Sequence, residues 1–366
     1  MVVYDEFGPE KLLEVYDAKS GLHGFLVIDN TSKGVGKGGL RIADVTLDEI
    51  FRLARAMTYK CTMAELPFGG AKSGLIIPKN VSKSDAVKWF AQQIKAFVPQ
   101  YYVAGPDMST GEKEMEIISD VIGTTKAATG KPLKIGGLPH ELGSTGYGVV
   151  QSLIASLEHL DHNISSTSVA IEGFGNVGVF TAKFLLEHGV KVVAVSDSKG
   201  TIYDSKGLDI EKLIAVKENT GAVTNYSSGS AKKMETKDLF SLDVDVLLPG
   251  ARPDSINESN FNLVKADIIV EAGNIPMQES LEERFYRKGV VVIPDFVANA
   301  GGVISSWIEY ENDKQPTPKS VINRMFKEVE TRIKKNTKKV LDKADKENIS
   351  ARKAAMEIVR ERLELD

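Results

Sequence analysis

Two groups of residues in this 366-residue chain have types and spacings suited to chemistry. The first is the run Gly173-Phe174-Gly175-Asn176-Val177-Gly178, which follows a β-rich stretch and opens a helix-like one. In such a run one glycine allows a tight turn, one lets a pyrophosphate approach the backbone, and one permits close helix–strand packing. The next β-rich stretch ends at Asp197, whose carboxylate can accept hydrogen bonds from ribose hydroxyls. The order of strand, glycine loop, helix, strand and acid predicts a dinucleotide-binding site.

The acid at the end of that unit also bears on which dinucleotide binds. A negative charge at Asp197 would repel a 2′-phosphate, so the sequence favours NAD over NADP. Lys199 lies two residues later and can offset this repulsion, so NADP remains open.

The second group is rich in lysine and lies nearer the N-terminus. Lys37 stands among glycines, and glycines on both sides of Lys72 let backbone crowd close to its amine. Lys60 lies at the border of the apolar face of a helix predicted to begin at Thr46, where Glu49 completes a capping-box pattern. An inward-leaning lysine needs an anionic partner or a functional reason. A side chain that extends along the apolar surface to solvent explains the helix position equally well.

Convergence of these lysines would have a chemical consequence. Mutual repulsion and desolvation both push a lysine pKa downward, the direction that a base near neutral pH requires. Asp107, which follows the strand-like run Tyr101-Tyr102-Val103, is a candidate acid, although an aspartate that follows a proline ordinarily belongs to a turn.

Composition excludes several other classes of protein. The chain is 42% hydrophobic and 26% charged, which is typical of a globular protein, and its net charge of -4 offers no attraction to nucleic acid or anionic membranes. A single cysteine, Cys61, excludes an internal disulfide, and the five histidines lack metal-ligand spacing. No apolar run reaches the roughly 18 residues of a membrane span. We therefore expect a cytoplasmic protein with no metal, nucleic-acid or membrane partner.

The pattern along the chain predicts an α/β fold with two domains. β-rich runs at 168–172, 191–196, 243–248, 267–271 and 290–294 alternate with helical patterns, which predicts a parallel, doubly wound sheet of the Rossmann type. We assign 1–140 to a substrate-binding and oligomerisation domain and 141–335 to an NAD(P)-binding domain. The C-terminal helix, 336–366, is expected to pack back on the first domain.

Further elements are predicted from local signals. Strands are expected at 21–29 and 74–77, and a helix that starts near Ser84 should run through Phe97 until Pro99 stops it. Two helices follow residue 318, the second of them capped by Ser350.

Seven motifs occur in the order found in the glutamate/leucine/phenylalanine/valine dehydrogenases, which this chain resembles from about residue 10 to 360. They are GKGGLR, AMTYK, LPFGGAKSG, the Pro106-Asp107 turn, STGYG, GFGNVG and NAGGV. The resemblance implies that an L-amino acid is oxidatively deaminated between two domains, giving a 2-oxo acid and ammonium with hydride transfer to NAD(P)+. It also implies a homo-oligomer, expected to be a homohexamer.

The same resemblance assigns roles to the lysine group. Lys72 looks like the catalytic lysine that activates water, and Asp107 looks like the proton-transfer acid beside the amino group. Lys60 resembles the lysine that binds the α-carboxylate, which would explain why a helix points a charge inward.

Three residues nearer the C-terminus are matched to the substrate and the cofactor. Thr145 resembles the residue that contacts the nicotinamide carboxamide, and Asn299 matches an asparagine close to substrate and nicotinamide. Asn274 is assigned to the cofactor, although its run Glu271-Ala272-Gly273-Asn274 departs from the usual family pattern.

The choice of amino acid depends on two positions that resemble those of glutamate enzymes. Lys37 and Ser306, the latter seven residues after Asn299, would together bind a γ-carboxylate, where leucine-type enzymes have apolar residues. A buried lysine facing an apolar side chain would cost on the order of several kcal/mol. The resemblance therefore favours L-glutamate as substrate, with 2-oxoglutarate and ammonium as products.

Alternatives remain open on the sequence alone. The short N-terminal region, and the loop at 136–143 that lacks the GGSxGR form, resemble leucine-, valine- or phenylalanine-type members. A catalytically silent dinucleotide-binding paralogue would have no chemical need to keep Lys72 and Asp107. A hydroxyacid dehydrogenase would need a catalytic histidine, and His140 has no arginine partner at a recognisable spacing.

Overall fold

The computed structural model describes residue 2 and residues 4–312 and 314–365. The chain divides into two compact units. Unit 1 comprises Met1–Leu142, Gly302–Glu328 and Val359–Asp366, and unit 2 comprises Gly143–Gly301 and Val329–Ile358. The last third of the chain thus alternates between the units, whereas the sequence interpretation gave 141–335 to one domain and 336–366 to the other. Long-range packing decides this division, and the local hydrophobic periodicity of the sequence does not indicate it.

Unit 1 is built on a five-stranded mixed sheet. Its strands are β1 (Lys11–Tyr16), β2 (His23–Asn30), β3 (Gly36–Ile42), β4 (Gly69–Ile76) and β5 (Tyr102–Pro106). They lie in the order β1-β2-β4-β3-β5, and β3 runs parallel to both β4 and β5. Two parallel neighbours of β3 therefore end at the same edge of the sheet.

β4 is longer than the sequence indicated, because only 74–77 was predicted as a strand. The glycines and alanine that precede Gly74 have low strand propensity. Pairing with β2 on one side and β3 on the other nevertheless extends the strand back to Gly69. Lys72 consequently lies within a buried strand and not in a flexible loop.

Three α-helices cover the sheet of unit 1. They are α1 (Leu47–Met63), α2 (Lys83–Gln93) and α3 (Glu112–Ile122). Thr46 caps α1 as predicted, since its side chain accepts a hydrogen bond from the backbone N–H of Glu49 at 3.2 Å. Apolar side chains of β2, including Leu26 and Ile28, pack with Phe90 of α2 on one face of the sheet. On the other face Val27 packs against Ile50 of α1.

The start predicted for α2 is confirmed to within one residue, whereas its predicted end was wrong. The helix begins at Lys83, after a cap at Ser82, whose hydroxyl accepts a hydrogen bond from the backbone N–H of Asp85 at 3.1 Å. The α-helix ends at Gln93, and a separate 3₁₀ turn covers Lys95–Phe97. A periodic apolar pattern does not distinguish a continuing helix from a tighter last turn.

Unit 2 contains a seven-stranded sheet. Its strands are β6 (Ser168–Glu172), β7 (Lys191–Asp197), β8 (Gly200–Tyr203), β9 (Lys232–Met234), β10 (Val246–Pro249), β11 (Ile268–Val270) and β12 (Val291–Ile293). They lie in the order β12-β11-β10-β6-β7-β8-β9, in which the first five are mutually parallel and β8 and β9 are antiparallel additions. The five predicted β-rich runs are the five parallel strands, so the doubly wound sheet is confirmed. The short strands β8 and β9 were missed.

The strand order of unit 2 reverses direction next to β6. From β6 the chain proceeds to β7 on one side, whereas β10, β11 and β12 extend the sheet on the other. The loops that leave β6 and β10 therefore diverge, which opens a crevice at the carboxyl ends of these strands. The glycine run 173–178 begins at this crevice.

The helices of unit 2 and of the C-terminal part complete the fold. They are α4 (Ser144–His159), α5 (Asn176–Glu187), α6 (Ile210–Thr220), α7 (Glu279–Arg287), α8 (Asp295–Ala298), α9 (Gly301–Glu311), α10 (Lys319–Glu347) and α11 (Ala351–Leu363). The backbone N–H of Lys353 donates to the Ser350 hydroxyl at 3.4 Å, at the predicted start of α11. Among the described residues, every helix is too short or too polar to cross a membrane.

One buried charge cluster joins α11 to the sheet of unit 2. The guanidinium of Arg352 lies 3.3 Å from Glu271, 2.6 Å from Glu282 and 3.3 Å from Asp295, measured between nitrogen and carboxylate oxygen. The three carboxylates are almost wholly buried, so their charges outnumber the single cation in a region that water does not screen. Burial raises the pKa of Glu282 to about 7, and burial together with the Glu282 charge raises that of Glu271.

The Arg352 cluster makes the stability of the chain depend on pH. Glu282 binds its proton more tightly in the folded chain than at its ordinary pKa of 4.5. Its contribution to the free energy of unfolding is therefore fully present below about pH 4.5 and lost as the pH rises through about 7. Glu282→Gln fixes an uncharged side chain, so its melting temperature relative to wild type should rise between about pH 5 and 8, measured by scanning calorimetry.

A matched control for this experiment is Glu283→Gln, because Glu283 forms a surface pair with Arg287. The difference between this variant and wild type should stay nearly constant over the same range of pH. An equally constant difference for Glu282→Gln would contradict the expectation.

Candidate active site

Lys72 and Asp107 form the closest ion pair among the predicted site residues. Lys72 lies on β4 and Asp107 directly follows β5, so the two side chains meet over the strand between them, β3. Lys72 Nζ lies 2.5 Å from Asp107 Oδ2. A Cβ atom at Gly39 of β3 would lie 2.8 Å from Asp107 Cβ and 3.3 Å from Lys72 Nζ. The glycine is therefore required for the pair to form.

Asp107 is held as a carboxylate by its neighbours. Arg41 of β3 donates from Nε to the same oxygen, Oδ2, at 3.2 Å. Burial alone would raise the pKa of Asp107, but the charges of Lys72 and Arg41 hold it well below its usual range. At neutral pH Asp107 is thus ionised.

Lys37 is a buried lysine. Among the residues that the structure describes, its ammonium donates a hydrogen bond to a backbone oxygen. It is only 3% exposed, and its Nζ donates to the carbonyl oxygen of Ala104 at 3.0 Å. Burial lowers the pKa of Lys37 to about 7, and repulsion from Lys72 and Lys131 acts in the same direction. The sequence predicts such a lowering in support of Lys72 as the base, and the structure shows it at Lys37.

The surroundings of Lys37 connect it to Ser306. A Cβ atom at Gly105 would collide with Lys37 Nζ and would lie 3.7 Å from Thr129 Oγ1. Thr129 in turn donates from that oxygen to Ser306 Oγ at 3.0 Å. Ser306 is half-buried on α9, and its own hydroxyl proton remains available for donation. Lys37 and Ser306, both predicted to bind a γ-carboxylate, thus lie in the same part of unit 1, with Gly105 and Thr129 between them.

Lys60 is buried in the last turn of α1, as the helix pattern indicated. The ammonium groups of Lys60 and Lys37 both interact electrostatically with the Cys61 thiol. Burial raises the pKa of the Cys61 thiol to about 12, which keeps this side chain neutral. Lys37, Lys60 and Lys72 therefore belong to one electropositive region of unit 1.

Lys131 and Glu309 were missed by the sequence analysis, although they form a buried ion pair at the edge of this region. Lys131 Nζ lies 2.5 Å from Glu309 Oε1, and the carboxylate side chain is wholly buried. Glu309 also accepts hydrogen bonds from the backbone N–H groups of Gly130 and Leu138, at 2.8 and 2.6 Å. One side chain of α9 thereby anchors the loop that contains Lys131. The two partners lie 178 residues apart, so no local pattern connects them.

The glycine run of unit 2 has the geometry that a dinucleotide requires. Gly173 has a φ of +94°, which side chains rarely adopt, and a Cβ atom at Gly178 would collide with the backbone oxygen of Gly173. At Gly175, by contrast, a Cβ atom would meet nothing within 4 Å. α5 begins after Gly175 without a side-chain cap, so backbone N–H groups near Asn176 and Val177 are available to a phosphate.

Asp197 lies at the end of β7 but already has several partners. Its Oδ1 accepts the backbone N–H of Lys199 at 2.7 Å, and its Oδ2 accepts that of Val223 at 2.9 Å and the ammonium of Lys217. Burial acts to raise the pKa of Asp197, yet these hydrogen bonds lower it. A carboxylate has about four acceptor positions, so capacity for a ribose hydroxyl remains. Lys217, on α6, is a cation that the sequence analysis missed.

Asn299 has an acceptor that the described residues leave unsatisfied. Its Nδ2 donates to the carbonyl oxygen of Gly273 at 2.8 Å and approaches Asn274 Oδ1 at 3.5 Å, whereas its Oδ1 is buried without a hydrogen-bond partner. A buried unpaired amide oxygen is costly and is suited to a ligand that donates a hydrogen bond.

Thr145, in the first turn of α4, is half-buried, and its Cα would lie 3.2 Å from a Cβ atom at Gly301.

The structure therefore places the predicted residues in two sets. Unit 1 holds Lys37, Lys60, Lys72, Asp107 and Ser306, and unit 2 holds Thr145, Gly173, Gly175, Asn176, Val177, Gly178, Asp197, Asn274 and Asn299. Within the described residues, histidine, cysteine and acidic side chains form no group suited to a metal ion.

Comparison with known proteins gives matches over most of the chain. Residues 136–364 match the family described as Glutamate/Leucine/Phenylalanine/Valine dehydrogenase, and residues 9–124 match the Glu/Leu/Phe/Val dehydrogenase, dimerisation domain. The glutamate dehydrogenase of Aeropyrum pernix is 38% identical over 91% of this chain and 83% of its own. The NADP-specific glutamate dehydrogenase of Saccharolobus shibatae is 37% identical over 81% and 74%.

A solved structure agrees with these sequence matches. The hetero-hexameric glutamate dehydrogenase of Thermus thermophilus is similar with a TM-score of 0.84 and 27% identity, over 97% of this chain and 88% of that one. The fold is thus the two-domain α/β architecture predicted from the sequence. Since both domains are matched by their family models, this chain belongs to the Glutamate/Leucine/Phenylalanine/Valine dehydrogenase family.

Proposed function

We propose that this chain oxidatively deaminates L-glutamate. L-Glutamate, water and NAD(P)+ give 2-oxoglutarate, ammonium, NAD(P)H and one proton. The observation that carries the choice of substrate is Lys37, a buried cation whose described hydrogen bond goes only to the backbone oxygen of Ala104. The γ-carboxylate of glutamate supplies the anion that such a cation lacks, and Ser306 can donate a second hydrogen bond to it. The names of the Aeropyrum and Saccharolobus relatives agree with this choice.

Lys60, Lys72 and Asp107 have the remaining binding and catalytic roles in unit 1. Lys60 binds the α-carboxylate, and Asp107 takes a proton from the substrate ammonium to leave a free amine. The bound nicotinamide would supply the acceptor for the hydride that leaves the α-carbon. Lys72 then removes a proton from the water that attacks the resulting imine carbon and stabilises the carbinolamine. Proton return from this pair releases ammonium and 2-oxoglutarate.

The residues of unit 2 are proposed to hold the cofactor. The glycine run and the N-terminus of α5 bind the pyrophosphate, and Asp197 accepts a hydrogen bond from the adenine ribose. The unpaired Asn299 Oδ1 accepts a hydrogen bond from the nicotinamide carboxamide or the substrate amine, with Thr145 and Asn274 beside it. The Lys217 ammonium places positive charge beside Asp197, which supports use of NADP as well as NAD.

The assembly is proposed to be a homohexamer. The match of residues 9–124 to a dimerisation domain supports self-association, and the similar Thermus thermophilus enzyme is a hetero-hexamer.

Replacement of the lysine on β4 tests the chemistry. Lys72→Ala should lower kcat for glutamate by about 10³-fold or more, because general acid–base groups contribute on the order of 10²–10⁴. Dinucleotide binding should persist, since its residues lie in unit 2, and it can be followed by NADPH fluorescence. The control is Lys79→Ala, an exposed lysine just after the same strand, which should keep normal turnover. Retained turnover in Lys72→Ala would contradict the assignment of Lys72 as the catalytic base.

A substrate panel tests the choice of amino acid. Initial rates with glutamate, leucine, valine and phenylalanine, each with NAD+ and NADP+, should give glutamate the highest kcat/KM. Lys37→Leu should lower kcat/KM for glutamate roughly a hundredfold, because a charged hydrogen bond contributes about 1.5–3 kcal/mol. A wild-type preference for leucine would instead identify a leucine-type enzyme.

Proton uptake provides a test that needs no turnover. Because the pKa of Lys37 is about 7, this side chain is mostly neutral at about pH 8. A γ-carboxylate beside it favours the ammonium form, so binding of 2-oxoglutarate should take up close to one proton. Calorimetry in two buffers of different ionisation enthalpy measures this number.

Two comparisons isolate Lys37 in the same calorimetric experiment. The Lys37→Leu variant, and wild type with the monocarboxylate 4-methyl-2-oxopentanoate, should both lack this uptake. The exposed-lysine variant Lys19→Met should retain it. Equal uptake with and without Lys37 would contradict its proposed role.

A further inference from the structure

Arg41 lies at the end of β3 and is nearly buried, with 8% of its side chain exposed. Its Nη1 donates to Glu49 Oε1 of α1 at 2.7 Å, and its Nε donates to Asp107 Oδ2 at 3.2 Å. Glu49 is itself more than a third exposed, so solvent can satisfy much of its charge without an arginine. The contact that needs explanation is therefore the one with Asp107.

Asp107 receives two cations at a single oxygen. Lys72 and Arg41 both reach Oδ2, whereas Oδ1 accepts no hydrogen bond from the residues that the structure describes. One cation would be enough to balance one carboxylate. The second becomes necessary only in a state in which the first has lost its charge.

The proposed reaction contains such a state. To remove a proton from water, Lys72 must first be neutral, and a neutral amine no longer balances the charge of Asp107. A buried carboxylate that loses its counter-ion takes up a proton in preference to remaining charged. Asp107 would then capture a proton just when it has to accept one from the substrate.

Arginine solves this problem in a way that a second lysine does not. A guanidinium keeps its proton at all pH values relevant to proteins. The second bond to Glu49 fixes the orientation of the Arg41 guanidinium, so that Nε remains directed at Asp107. We propose that Arg41 is a positioning residue that serves as the permanent counter-ion of Asp107 while Lys72 is neutral. This inference rests on the proposed deamination, in which Lys72 acts as the base.

The other charged groups around Asp107 are consistent with this role. Lys72 faces it from β4 and Arg41 from β3, and Tyr102 of β5 lies near enough for its hydroxyl to sense the carboxylate. Burial raises the pKa of Tyr102, which keeps its hydroxyl neutral and bonded to Ser73 at 2.8 Å. Lys83, the first residue of α2, donates to the backbone oxygen of Ser109 and pairs with Glu114 of α3. Arg41 is therefore the permanent cation in contact with Asp107.

The pH dependence of kcat/KM for glutamate tests the inference. In Arg41→Met the rising limb should move to higher pH by about one unit, which is about a tenfold loss on the acid side. Arg41→Gln, which keeps a hydrogen-bond donor but no charge, should move in the same direction. Arg41→Lys keeps a cation, although one that can lose its proton, and should shift the limb less than Arg41→Met does. The control is Arg52→Met, an exposed arginine on α1, which should leave the whole profile unchanged.

The outcomes separate the inference from the function on which it rests. An Arg41→Met profile that is lowered equally at every pH would show a merely structural role and would overturn the inference. A limb that shifts as far in Arg41→Lys as in Arg41→Met would overturn it as well. Wild type that fails to oxidise glutamate would overturn the proposed function instead.

A second measurement reports on Asp107 without turnover. Lys72→Met imitates the neutral state of the lysine, and infrared difference spectra detect a protonated carboxyl group, assigned by its loss in Asp107→Asn. We expect Asp107 to stay ionised near neutral pH in Lys72→Met and to become protonated when Arg41→Met is added. An ionised Asp107 in the double variant would overturn the inference.

Discussion

The contact between Lys72 and Asp107 over β3 is the interaction on which the rest of unit 1 depends. Two side chains from strands on opposite sides of β3 can meet only if the middle strand carries no side chain between them, and Gly39 satisfies this condition. The strand order β4-β3-β5 then brings Lys72, Arg41 and Asp107 to one edge of the sheet. The glycine-rich composition of β3 weakens it as an isolated strand, so pairing on both sides has to sustain it.

The balance of buried charge gives this region its chemical character. Desolvation makes each buried cation costly unless an acid accompanies it. Lys131 has Glu309, and Lys72 has Asp107, but the described hydrogen bond of Lys37 goes only to a carbonyl oxygen. Burial lowers the pKa of Lys37 to about 7, so its cation is best stabilised when a substrate carboxylate arrives. The desolvation cost of an unpaired Lys37 ammonium would then give selectivity for a dicarboxylic substrate.

Unit 2 uses backbone groups where unit 1 uses charged side chains. Gly175 leaves open space beside the uncapped start of α5, so N–H groups and the helix dipole can bind phosphate without a buried cation. Asp197 is committed in part to Lys217, Val223 and Lys199, and these bonds tie β7 to the segments that follow it. Its negative charge is correspondingly less able to exclude a 2′-phosphate.

Local sequence was sufficient for features that neighbouring residues determine. The run 173–178, the β-rich strands around it and the cap at Thr46 are set by interactions over a few residues, so their patterns could be recognised. Family likeness, rather than spacing, singled out Lys72 and Asp107. Neither spacing nor motif indicated the partners of Arg41 and Glu309, because nothing in a lone arginine or glutamate indicates a partner 66 or 178 residues away.

The tertiary structure decided what depends on long-range packing. It placed Lys72 in a strand, because pairing with β2 and β3 overcame the weak strand propensity of its glycine neighbours. It divided the C-terminal third between the two units and added β8 and β9 to the sheet. The sequence therefore determines which residue types could do chemistry. Their charges and their partners depend on burial, which arises only in the folded chain.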